Sequence, residues 1–110
     1  MDCKNIIMQG DSYPIFLKIS YKNEKLDLDR VDVIQICIGN IVKYWNFDGS
    51  GEITYDNEND RFLFEISQKE SLEMSGSQEV QVRIKFIDEK VVGKIYGSIS
   101  LQYSNNKEEI

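Results

Sequence analysis

Apolar and polar residues alternate with a period of two along most of this chain, the pattern of half-buried strands rather than of helices. In "SYPIFLKISY", Tyr13, Ile15, Leu17, Ile19 and Tyr21 share one face, while Pro14, Phe16, Lys18 and Ser20 share the other. The turn Gly10-Asp11-Ser12 precedes this strand. Pro14 has no N–H to give to a ladder, so it belongs at a strand start or on a sheet edge. "LDL" reads as a short extended piece, and "VDVIQICIGN" follows with Ile34, Ile36 and Ile38 on one face and Val33, Gln35 and Cys37 on the other. Gly39-Asn40 is a two-residue hairpin signal, and "IVKYWNF" returns antiparallel.

The second half continues in the same style. "EITY" is a short strand, "DNEND" a polar turn, and "RFLFEI" a strand with Phe62, Phe64 and Ile66 inward. Ser67 stands three residues before Glu70, the spacing of a capping box, which predicts one short helical turn near residues 68–75. Leu72 and Met74 would cover the end of the core there, and Gly76 would stop the turn. "EVQVRIKFI" places Val80, Val82, Ile84 and Phe86 on one face and Gln81, Arg83 and Lys85 on the other. "VVGKIYGSISLQY" places Ile95, Gly97, Ile99, Leu101 and Tyr103 in register, which leaves Tyr96 out of phase. About seven to nine short strands separated by turns predict an all-β antiparallel sandwich or barrel. The expected core includes Ile15, Leu17, Ile19, Ile36, Phe62, Phe64, Val82, Ile84, Ile99 and Leu101.

Composition adds limits. A chain of 110 residues has room for one core, here expected over residues 1–103, with 104–110 as a polar tail. No apolar run approaches the ~20 residues of a membrane span, and the N-terminus lacks the pattern of a secretion signal, so synthesis and folding in the cytoplasm are expected. The formal net charge is −6 and the basic residues are scattered, which argues against nucleic acid as a partner. Cys3 and Cys37 are expected to be unpaired. With two cysteines and no histidine, neither a structural zinc site nor a histidine-based nucleophile is available, and no cofactor or metal is expected.

Candidate chemistry is sparse. The alternate carboxylates Asp56, Glu58 and Asp60 begin like a calcium loop, but Arg61 and Ser67 stand where that loop needs glycine and glutamate. Asp27, Asp29 and Asp32 read as an acidic edge; a hydrolase using Asp27, Asp29 or Asp56 would need a cleft and a raised pKa on one of them. Tyr44, Trp45 and Phe47 offer an aromatic platform for a sugar, with core burial of Trp45 as the competing reading. Phe16, Val33, Leu63, Ile87 and Tyr96 alternate out of phase with the expected core and form a candidate protein interface.

The order of elements carries a resemblance. "QGDSYPIFLKI", "LDLDRVDVIQICIGNIVKYW", "ITYDNENDRFLFEISQKESLEM", "QEVQVRIKF" and "VVGKIYGSISL", together spanning roughly residues 6–103, resemble the small immunoglobulin-like domain of tail and baseplate proteins of phages and prophages of Gram-positive bacteria. They are similar to the N-terminal domain of the baseplate upper protein family. The resemblance implies an immunoglobulin-like sandwich. It implies a non-enzymatic structural protein of a phage tail, baseplate or tail-like particle, present in many copies, with other tail or baseplate proteins as partners and weak self-association. In this family the domain is often followed by a linker or coiled coil and a receptor-binding head. This sequence stops at Ile110, so an adaptor or decoration role is expected. The alternative from another class is a carbohydrate-binding sandwich at the host cell surface, using Tyr44, Trp45 and Phe47.

Overall fold

The computed structural model describes residues 5–102, and Cys3, Tyr103 and the expected tail lie outside them. The chain runs β1 (Asn5–Met8), β2 (Tyr13–Leu17), β3 (Ser20–Tyr21), β4 (Glu24–Lys25), a 3-10 turn (Leu28–Arg30), β5 (Val31–Ile38), β6 (Ile41–Asn46), β7 (Thr54–Asp56), β8 (Arg61–Ile66), α1 (Gln68–Leu72), β9 (Gly76–Phe86) and β10 (Val91–Gln102). A five-stranded sheet has the order β1-β10-β9-β5-β6, a three-stranded sheet the order β2-β8-β7, and β3 pairs with β4 in a small ribbon. Naming β2, β5, β6, β7, β8, β9 and β10 as strands B, C, C′, D, E, F and G gives sheets GFCC′ and BED, the strand order of an immunoglobulin sandwich. The short helix lies between E and F.

The alternation seen in the sequence builds the core. All the residues expected there are buried, from Ile15 and Leu17 of β2 to Ile99 and Leu101 of β10. They join Ile34, Ile36 and Ile38 of β5 and Phe62, Phe64 and Ile66 of β8 in one cluster between the sheets. Pro14 lies on β2, which pairs only with β8 and so forms a sheet edge, where a missing N–H costs no ladder bond. Gly39 turns the β5–β6 hairpin at φ +56, with Ile38 directly opposite Ile41. The long strand expected over residues 13–21 is interrupted between β2 and β3.

Three local expectations need correction. Asp27 and Asp29 do not lie on a strand as part of an acidic edge: Asp27 caps the 3-10 turn, its Oδ1 accepting the Asp29 N–H at 3.1 Å. A short acidic side chain satisfies backbone donors more readily at a turn than in a ladder. The helix ends at Leu72 with Glu73 as its cap, and Gly76 opens β9 rather than stopping the helix. The sheets are not wholly antiparallel, because β1 pairs parallel with β10, Asn5 opposite Ile99 through Met8 opposite Gln102. Four residues near the start of the chain carry no periodicity that would reveal a partner at its far end.

The opening turn is fixed from the helix side. Ser71, fully buried, accepts the Gly10 N–H on its Oγ at 2.8 Å and donates to the Asp11 carbonyl at 2.9 Å. Gln9, also buried, donates from Nε2 to the Met74 carbonyl. Among the described residues no buried side-chain nitrogen or oxygen lacks a partner. The expected capping box is present, with Ser67 Oγ accepting the Glu70 N–H and Glu70 Oε1 accepting the Ser67 N–H.

Candidate functional site

The sandwich distributes the candidate interface residues over several surfaces rather than one. Phe16 of β2 and Leu63 of β8 stand opposite each other on the outer side of the three-stranded sheet. Val33 lies half-buried on the outer side of the five-stranded sheet. Ile87, exposed, follows β9 and lines an open groove of about 700 Å³ with Tyr21, Lys25, Leu26, Arg30 and Phe86. Tyr96 is not on the surface. It is 7% exposed, packs in the core and donates its hydroxyl to the Ser20 carbonyl at 3.3 Å.

The cause is a bulge in β10. Ile95 pairs with Gln81 and Gly97 with Val80, so Tyr96 is an extra residue between two rungs. Gly97 takes φ +127, a conformation that side chains disfavour. The extra residue reverses the alternation, turning Tyr96 inward and Ile95 outward, where Ile95 is 55% exposed. Burial also raises the Tyr96 hydroxyl above the ordinary tyrosine range.

The aromatic trio is divided. Trp45 packs against the core, edge-on to Phe62 with ring centroids 6.1 Å apart. Its neighbour Tyr44, one strand position away, faces outward and its hydroxyl accepts from Gln35 Nε2 at 3.1 Å. Phe47 is exposed beyond the end of β6. Tyr44 and Trp45 therefore do not stack on a common ligand face.

The carboxylates hold turns together. Asp56 begins the tip of the β7–β8 hairpin; a hydrogen bond from the Asn59 amide first, then that residue's N–H and the Arg61 guanidinium, hold it below the ordinary carboxylate value despite some desolvation. Hydrogen bonds from Ser50, hydroxyl and N–H, likewise lower Asp48. These shifts oppose the raised pKa that a general acid needs. Asp60 Oδ1 accepts the Tyr55 hydroxyl at 2.6 Å, and this bond pushes the Tyr55 phenol up to about 12. At Glu70, desolvation would raise the pKa, but the Ser67 N–H and the Lys43 ammonium outweigh it and lower it. Among the described residues no cluster of three or more His, Cys, Asp or Glu side chains is placed to hold a metal ion.

Neither protein-family models nor curated proteins give a match to this chain. Cross-strand registers define one surface that the alternation did not reveal. On the outer side of the five-stranded sheet, Val42, Cys37, Gln81 and Ile95 form one row. Tyr44, Gln35, Arg83 and Gly93 form the next, and Asn46, Val33, Lys85 and Val91 the third. Val42, Tyr44, Val91 and Ile95 are all exposed. The alternation already grouped Val33 with Gln35 and Cys37, and Gln81 with Arg83 and Lys85; the bulge hid Ile95, and only the strand order brings Val42 and Val91 near it. Cys37 is half-buried and unpaired. Among the described residues no helix is long and apolar enough to cross a membrane.

Proposed function

We propose that this chain is a non-enzymatic assembly component of a phage or phage-tail-like particle, a tail or baseplate subunit in an adaptor or decoration role. The observation that carries the reading is the agreement between the resemblance in the sequence and the GFCC′/BED strand order, the architecture which that resemblance implies. The polar residues support it from another side, since the candidate carboxylates are engaged in caps and turns. Function then rests on surfaces: the protein's work is to present a rigid sheet exterior to neighbouring subunits, with repetition in the particle turning modest contacts into avidity.

The test is composition. Particles sedimented from an induced culture of the bacterium that carries the gene are resolved by mass spectrometry. The chain is expected at a fixed ratio to the major tail protein across preparations. Its absence from washed particles overturns the reading.

A further inference from the structure

We propose that the unpaired edge of β10, from Val91 to Gly97, takes up an extended segment of another protein as an added strand, one that carries acidic residues at alternate positions. This inference rests on the sheet edge and holds whether or not the chain belongs to a particle. β1 pairs with β10 only from Ile99 to Gln102, and among the described residues no strand lies beside Val91–Gly97 on that side. The Phe86 N–H donates to the Lys90 carbonyl, and Ile84 and Val82 stand opposite Val92 and Lys94. Bonded pairs alternate along an antiparallel ladder, so Val92 and Lys94 turn their N–H and C=O groups toward β9. Val91, Gly93 and Ile95 then turn theirs outward along the edge. An edge of this kind is a template for one more strand.

The side chains on the two faces of the edge define the occupant. On the outer face, Val91 and Ile95 are exposed by 57% and 55%, with Gly93 between them, so apolar side chains of an added strand would cover them. On the inner face, Lys94 stands between Val92 and Tyr96, its ammonium 5.0 Å from the Tyr96 ring centroid. Beside it a cleft of about 400 Å³ opens between β10 and the β3–β4 ribbon, its charged lining being Lys18, Lys25, Lys94, Glu24 and Asp60. Lys22 and Lys94 line the adjoining cavity of about 210 Å³. Four lysines against two carboxylates make this opening positive in a chain of net charge −6. One of the two carboxylates, Asp60, already accepts the Tyr55 hydroxyl and pairs with Lys25 at 3.9 Å. A strand that alternates apolar and acidic residues matches both faces, its apolar side chains beside Val91 and Ile95 and its carboxylates toward the lysines. A second copy does not. Two β10 edges paired antiparallel about Gly93 would bring their Lys94 side chains to a diagonal of about 7–8 Å on one face, where like charges repel. Lysine on an edge discourages such self-pairing.

The probe is a fluorescein-labelled synthetic peptide, Thr-Val-Glu-Val-Glu-Val-Thr, titrated with the whole chain and read by fluorescence polarisation. Binding with a Kd on the order of 100 µM that weakens with salt is expected. Hydrogen exchange at the Val91, Gly93 and Ile95 amides should slow in the complex. Gly93→Pro removes one outward N–H and leaves the β9 ladder intact, and it should weaken binding about tenfold or more. A Cβ at Gly93 meets Arg83 Cγ at 3.5 Å and the Val82 carbonyl at 3.6 Å, both ordinary contacts. Lys94→Glu should also weaken binding about tenfold, and a peptide with lysine in place of both glutamates should bind this variant better than the parent. Thermal melts by circular dichroism check that each variant folds; should Gly93→Pro fail to fold, the charge exchange and the amide protection decide. Absence of binding overturns the proposal, as does binding that ignores the charge exchange, that a folded Gly93→Pro leaves unchanged, or that slows exchange at other amides instead. A parent chain that dimerises in sedimentation equilibrium with protection of these same amides also overturns it, and marks a second copy as the occupant.

Discussion

The two sheets of this sandwich expose apolar side chains on their outer sides, but in different company. On the three-stranded sheet, Phe16 sits opposite Leu63 and beneath the Arg61 guanidinium, 4.3 Å from its ring centroid. Asp56 in turn binds Arg61 at 3.3 Å. That aromatic is only partly covered by its neighbours, being 40% exposed. On the five-stranded sheet, Val42 stands exposed on β6, and Val91 and Ile95 stand exposed on β10. An exposed apolar residue becomes informative through what surrounds it: Phe16 lies under a cation that Asp56 holds, while Val91 and Ile95 share β10 with more than half of their surface in water.

The largest difference is expected between two adjacent residues of β10. Tyr96→Asp puts a carboxylate in the core and removes a buried ring, at about 4–6 kcal/mol in total, enough to unfold a domain of ordinary stability. Ile95→Asp changes the open face and should leave stability within about 0.5 kcal/mol of the parent. Chemical denaturation of both variants reads the difference. Equal stabilities would place the bulge elsewhere and reverse the assignment of the outer face.

The next effect belongs to the floor that both sheets share. Phe64→Ala should cost about 3–5 kcal/mol, through lost burial and the cavity left behind. A parent-like melting curve for this variant would mean that the β8 register is wrong. That register was legible in the sequence, because Phe62, Phe64 and Ile66 keep a strict period of two, with Arg61, Glu65 and Ser67 on the other face beside Leu63. So were the Gly39-Asn40 hairpin and the Ser67–Glu70 capping box, whose signals lie within a few residues of each other. The position of Tyr96 was not legible. A bulge adds one residue without changing composition, and everything beyond it swaps faces. The outer face of the five-stranded sheet was hidden for a related reason. Its rows combine residues from β5, β6, β9 and β10, and only the strand order brings them together.

A smaller effect is expected at the cluster around Phe16. Arg61→Ala removes the cation from above Phe16 and the ion pair with Asp56, and should cost no more than about 1 kcal/mol. It should also increase binding of a hydrophobic dye, since Phe16 loses its cover. Unchanged dye binding would mean that Arg61 does not shield the ring.

The smallest effect is a titration beside the same sheet. Tyr55 on β7 should hold its proton up to about 12, because Asp60 accepts its hydroxyl hydrogen bond. The unfolded chain releases that proton near 10, so this contribution to stability is intact below pH ~10 and is lost as the pH climbs toward the folded value. Ultraviolet difference spectra should show tyrosines ionising late, with Asp60→Asn returning one of them toward the ordinary value. No change on substitution would mean that Asp60 is not the cause.

The parallel pairing of β1 with β10 also has a mechanical meaning. The two strands run in the same direction, with Asn5 beside Ile99 and Met8 beside Gln102. Tension applied through the chain before β1 and after β10 pulls them in opposite senses along their length. All the rungs of the ladder are then loaded in shear at once, whereas an antiparallel hairpin pulled at its open end yields one rung at a time. Resistance to such a pull is set by the rate of unfolding rather than by equilibrium stability. A few residues at one end of the fold thus serve as a clasp against stretching, while the rest of the sandwich behind them bears little of the load.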